Sequence, residues 1–106
     1  MDKWVLQVMT PQEWEHVMIM TSQNLGHVDL KVVALGMAVV PLFAPGKLRR
    51  AMEEAITKGL SLEICSVSMG VAGLENAEPP KGAVLQPGLK AVAAARAAGY
   101  TYFVVA

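Results

Sequence analysis

The single cysteine of the chain, Cys65, closes the mostly apolar run Leu60-Ser61-Leu62-Glu63-Ile64 and precedes the polar, glycine-containing stretch Ser66-Val67-Ser68-Met69-Gly70. A side chain at the end of a strand in a buried parallel sheet reaches the carboxyl-end rim, where open α/β folds bind ligands. The free N–H groups of a following helix would favour a thiolate there. The chemistry open to such a group is nucleophilic, through its thiolate. Backbone N–H groups from Val67 to Gly70 and the hydroxyls of Ser66 and Ser68 are the candidates to lower its pKa. Cysteine is also among the most buried residue types, so residue type alone leaves inert packing open. Ser66 and Ser68 equally suit a helix cap or a turn.

Glu63 sits two residues before the cysteine. A carboxylate in a strand covered on both faces is costly unless paired, and Gln7 and Lys31 place further polar groups inside other expected strands. A buried polar seam is therefore expected, with both a structural network and a catalytic carboxylate open for Glu63. His16 and His27 belong to no nucleophile or metal constellation, and surface or helix-terminal roles are expected for both. One cysteine and two separated histidines offer no metal-ligand spacing, and the glycine turns lack the Gly-x-Gly-x-x-Gly and Walker patterns. No metal and no cofactor is expected.

The elements that must position these groups follow from periodicity and stop signals. Trp4 to Met9 is a first strand. Thr10-Pro11-Gln12-Glu13 has the form of a capping box, with Pro11 at the first position of a helix running to about Leu25. Trp14, Val17, Met18, Thr21 and Leu25 form its inward stripe, and Gly26 ends it. Asp29 to Leu35 is a second strand, after which Pro41 and Pro45 break the chain into a loop with a short helical turn. A helix from about Gly46 to Lys58 leads to a third strand, Leu60 to Ile64. A short helix or turn over Val67 to Leu74 follows, then a loop over Glu75 to Gly82 and a short fourth strand, Ala83 to Leu85. Pro87-Gly88 opens an alanine-rich helix to about Ala98, and Tyr100 to Val105 is a final strand. Strands alternating with helices predict a parallel sheet covered on both faces.

With 106 residues the chain is read as one domain, residues 1–106. Hydrophobic residues make up 54% and charged ones 17%, less polar surface than a monomer of this size presents, so self-association is expected. A formal net charge of zero with nine basic residues argues against nucleic acid as a partner. The apolar run Val32 to Pro45 is too short and too interrupted to span a bilayer, and the start of the chain lacks the features of a secretory signal. A cytoplasmic location with no membrane association is expected.

Taken together, the chain resembles the small DsrE/DsrF-like, or YchN-like, proteins over nearly its whole length. The resemblance is carried by the helix end Ala55-Ile56-Thr57-Lys58-Gly59, by the strand Leu60 to Ile64 entering Cys65, and by Leu85-Gln86-Pro87-Gly88-Leu89 through Ala98-Gly99-Tyr100-Thr101-Tyr102-Phe103. It implies a three-layer α/β/α subunit with a mainly parallel five-stranded sheet, assembled as a homotrimer or homohexamer. It also implies a sulfur-relay role in which Cys65 carries a persulfide between donor and acceptor proteins; from the residues themselves, Glu63, Ser66, Ser68 and Gly70 are expected to support that site, beside a pocket that neighbouring subunits complete. Val67 departs from the family pattern, which often has asparagine there. A noncatalytic oligomeric module binding a small ligand or protein, and a structural assembly protein, are the alternative readings.

Overall fold

The computed structural model describes residues 1–106. Five strands, β1 (Asp2–Val8), β2 (Val28–Ala34), β3 (Ser61–Cys65), β4 (Val84–Gln86) and β5 (Thr101–Val104), form one sheet in the order β4-β3-β2-β1-β5, with every pairing parallel. The helices are α1 (Trp14–Asn24), α2 (Lys47–Thr57), α3 (Ser66–Val71) and α4 (Gly88–Ala97). The expected three-layer α/β/α architecture is the one observed, and no helix is long and apolar enough to cross a membrane.

Strand order and handedness together dictate which face each helix covers. The crossovers β1 to β2, β2 to β3 and β3 to β4 all step one way across the sheet, so right-handed connections put α1, α2 and α3 on one face. The crossover from β4 to β5 returns across the whole sheet, which puts α4 alone on the other.

The residues sort accordingly. In a parallel ladder, registered partners point to the same side and alternate along each strand. Trp4, Leu6, Leu30, Val32, Leu62, Ile64 and Phe103 thus share the face under α1 and α2, an apolar surface. Gln7, Lys31, Glu63, Cys65, Gln86 and Tyr102 share the face under α4. Lys3 on that face donates to the Ala98 carbonyl at 3.4 Å, and the Arg96 guanidinium lies 5.6 Å from the centre of the Tyr102 ring.

Local details differ from the sequence expectations where tertiary contacts compete. Thr10 does not cap the first helix: its hydroxyl donates to the Ala106 carbonyl at 2.6 Å. Glu13 Oε2 lies 2.8 Å from His16 Nδ1, within hydrogen-bond distance, instead of reaching back to residue 10. Pro11–Glu13 is a single 3-10 turn before α1. Within α1, Trp14, Val17 and Thr21 are buried as expected, while Met18 and Leu25 are only partly so. The segment after β2 is a continuous 3-10 stretch, Gly36–Phe43, whose Ala38 carbonyl accepts from Trp14 Nε1 at 2.9 Å.

The expected seam forms in part. Lys31 Nζ lies 3.1 Å from Glu63 Oε2, and Gln86 Nε2 donates to Glu63 Oε1. Lys31 also sits 5.1 Å from the Tyr100 ring centre, and the Tyr100 hydroxyl donates to Asp29 Oδ2 at 2.9 Å. Gln7 occupies the same transverse row as Glu63, but Val33 lies between them, and Gln7 instead accepts from the Tyr102 hydroxyl at 2.8 Å. Burial, together with the hydrogen bond to Asp29 and the negative charges of Asp29 and Glu63, raises the Tyr100 pKa above its ordinary value.

Lys31→Ala strands the Glu63 carboxylate in the sheet without its counter-charge. The expected loss is about 3 kcal/mol of unfolding free energy, the low end for breaking a buried pair because Lys31 keeps 20% of its side chain exposed. Urea denaturation measures it. Combining Lys31→Met with Glu63→Leu should restore most of the loss, since the uncompensated charge is then gone.

Candidate functional site

Cys65 is the last residue of β3 and the N-cap of α3. Its sulfur accepts two backbone hydrogen bonds from different helices: the Ser68 N–H in the first turn of α3, at 3.4 Å, and the Gly88 N–H at the start of α4, at 3.2 Å. Sequence reasoning found the first donor and missed the second, which lies 23 residues away in the chain. Its signal is Gln86-Pro87-Gly88, a strand end feeding a helix start beside the strand that carries the cysteine.

The closeness of α4 depends on glycine. A Cβ at position 88 would overlap the Leu35 side chain and stand 3.1 Å from Cys65 Cβ. Any other residue would therefore lift the helix start off the sulfur or displace Leu35, which is itself buried.

Ser68 contributes twice. Its hydroxyl oxygen accepts from the Gly36 N–H at 2.8 Å, which ties α3 to the chain leaving β2. Burial pushes the Cys65 thiol up, but the Ser68 hydroxyl and the N–H groups of Ser68, Gly88 and Val67 favour the thiolate and outweigh it, so the pKa is lowered. Gly70 is not among those donors, and Ser66 is exposed. Glu63 lies on the same sheet face and is committed to Lys31 and Gln86. Of the expected supporting residues, the structure brings Ser68 to the sulfur and leaves Ser66 and Gly70 outside its hydrogen-bond shell.

The sulfur is enclosed. Cys65 is 5% exposed, and none of the four main surface hollows is lined by it. On the elements packed around it, Met37, Val67, Val71 and Leu89 are exposed by 59%, 62%, 84% and 76%, alongside exposed Ser66. The arrangement is a thiol whose charged form is favoured by neutral donors, with no cationic side chain hydrogen-bonded to it.

No protein-family profile and no curated protein matches the sequence. Solved structures do. The ychN protein from E. coli superposes with a TM-score of 0.73 at 13% identity, covering 98% of this chain and 99% of that one. The fold is YchN-like. A protein of unknown function from Methanobacterium thermoautotrophicum, MTH1491, matches with a TM-score of 0.78 at 19% identity over 97% of this chain and 99% of that one. A conserved protein of unknown function from Bacteroides thetaiotaomicron, BT1422, gives a TM-score of 0.79 at 14% identity, covering 97% and 94% of the two chains. The YchN-like architecture therefore spans essentially the whole chain, with Cys65 at the carboxyl end of its third strand.

The depressed thiol pKa makes stability depend on pH with a defined sign. A folded-state pKa below the unfolded one contributes nothing at low pH. The contribution grows as pH rises through the folded value and is complete above the free-thiol value of about 8.5. The stability advantage of wild type over Cys65→Ser should therefore widen as pH rises up to the free-thiol value of about 8.5 and level off above it. Denaturation at a series of pH values measures it. Gly88→Ala, which displaces the α4 donor, should raise the midpoint of the thiol-alkylation pH profile.

Proposed function

We propose that this chain is a sulfur-relay protein that carries a persulfide on Cys65. The observation that carries the reading is the pair of N–H groups from two helices converging on one sulfur and favouring its thiolate. In the loading step the Cys65 thiolate attacks the outer sulfur of a donor persulfide. The new S–S bond forms as the donor's S–S bond breaks, and the donor leaves as thiolate. Unloading is the reverse exchange, an acceptor thiolate taking the outer sulfur and returning Cys65 to thiolate. A carrier needs no metal for this, only a low-pKa thiol and a route to it. With the sulfur 5% exposed, that route opens at the start of α3, where Ser66 and Val67 are exposed.

The enclosed sulfur, together with the exposed apolar side chains of Met37, Val67, Val71 and Leu89, favours a second reading. In it the chain is a noncatalytic oligomeric module that binds a small ligand or a protein at this end of the sheet. The low share of charged residues, 17%, supports assembly in either case, as a homotrimer or a hexamer of two trimers.

Intact mass after incubation with a sulfane-sulfur donor separates the two readings. Wild type should gain the mass of one sulfur, reversed by cyanide, and Cys65→Ser should gain none while keeping the wild-type assembly mass in light scattering. Absence of a cyanide-sensitive gain in wild type, or an equal gain in the serine variant, replaces the carrier with the binding module.

A further inference from the structure

The outer edge of β5 is unpaired backbone. β5 pairs with β1 alone. The Val105 N–H donates to the Gln7 carbonyl at 2.8 Å, which fixes the orientation of the strand. The N–H and C=O of one strand residue point the same way and alternate from residue to residue. Thr101 and Phe103 therefore face β1, and Tyr102 and Val104 turn both of their backbone groups outward. The four-residue strand Thr101–Val104 carries no charge, no proline, and no bulge in its register, so its outward groups are open to pairing. Phe103 is 41% exposed and Val104 57%.

We propose that β5 is a two-fold docking edge that pairs antiparallel with β5 of a second copy of this chain, across an axis at Phe103. The edge is its own electrostatic complement. Rotation about that axis sets Tyr102 opposite Val104 of the copy, and Val104 opposite Tyr102, as hydrogen-bonded pairs, so every outward donor of the strand meets an outward acceptor. An axis at Tyr102 would call on the Tyr100 N–H instead, and that group is already given to the Ala95 carbonyl at 3.0 Å. The side chains that cross the axis are Phe103 against its own copy and Tyr102 against Val104, aromatic and β-branched pairs of the favourable kind. None is charged, so none opposes itself across the two-fold. On the Phe103 side, the edge borders an apolar hollow of about 270 Å³ lined by Trp4, Leu6, Met20 and Leu30, which a paired copy would close over.

This contact is independent of any chemistry at Cys65, and it constrains the assembly. A trimer has no two-fold axis, whereas a dimer or a hexamer of two trimers does. Even stoichiometry follows.

Cysteine cross-linking tests the axis. In a Cys65→Ser background, Phe103→Cys places two thiols directly opposite each other in a non-hydrogen-bonded antiparallel pair. The Cα separation there, roughly 4.5 Å, lies within disulfide range. Mild oxidation should give a covalent dimer at least tenfold faster than for Tyr102→Cys, whose thiol would face Val104 of the copy. The double variant Tyr102→Cys/Val104→Cys should couple as fast as Phe103→Cys. Val104→Pro supplies a second measurement, because the N–H it removes points away from β1. Its far-UV circular dichroism should be unchanged while the mass in light scattering falls by half. A monomeric or trimeric wild type at micromolar concentration, equal coupling of Phe103→Cys and Tyr102→Cys, or an unchanged mass for Val104→Pro each overturns the proposal.

Discussion

A single ten-residue helix has to close one whole face of a five-stranded sheet. At about 1.5 Å per residue α4 is roughly 15 Å long, while the sheet it crosses measures roughly 19 Å between its outer strands. Apolar burial is concentrated at the middle of that face. The opposite face, under α1 and α2, is apolar apart from Asp2 and Thr101 at the strand starts and packs by burial. Under α4, Val5 and Val33 are fully buried, and the polar groups around them satisfy one another: Lys31 with Glu63, Gln86 with Glu63, Tyr100 with Asp29, Tyr102 with Gln7.

The same constraint brings the two donors to Cys65. To start at β4 and finish at β5, α4 must begin over the carboxyl end of β3, and only glycine at position 88 lets its first turn descend between Leu35 and Cys65. The helix is thereby set down on the sulfur. Its first free N–H, which would otherwise lack a partner, is satisfied by the thiol, and the thiol gains a donor that favours its charged form. Packing and electrostatics at the site are one arrangement.

Much of this is legible in the residues themselves. The stop at Gly59, the strand into Cys65 and the Pro87-Gly88 helix start define the α/β alternation, and the unusual placement of Glu63 and Lys31 inside strands foretells their pairing. What escaped sequence reasoning depends on contacts between distant segments. Thr10 has the form of a cap but gives its hydroxyl to Ala106, 96 residues away, because β1 and β5 are neighbours. Gln7 looks like part of the seam, yet the register puts Val33 in the way. The Gly88 donor could be read only once strand order placed β4 beside β3. Local chemistry names the candidate groups, and the topology selects which of them meet.

The helix that rests on the sulfur at one end delivers the chain to β5 at the other, where the Tyr100 N–H closes back onto the Ala95 carbonyl. Any enlargement of the Cys65 side chain, by oxidation, alkylation or an added sulfur atom, competes for the space that Gly88 and Leu35 already share and pushes on the first turn of α4. The covalent state of one enclosed atom thus bears directly on how closely α4 can sit over the carboxyl end of β3.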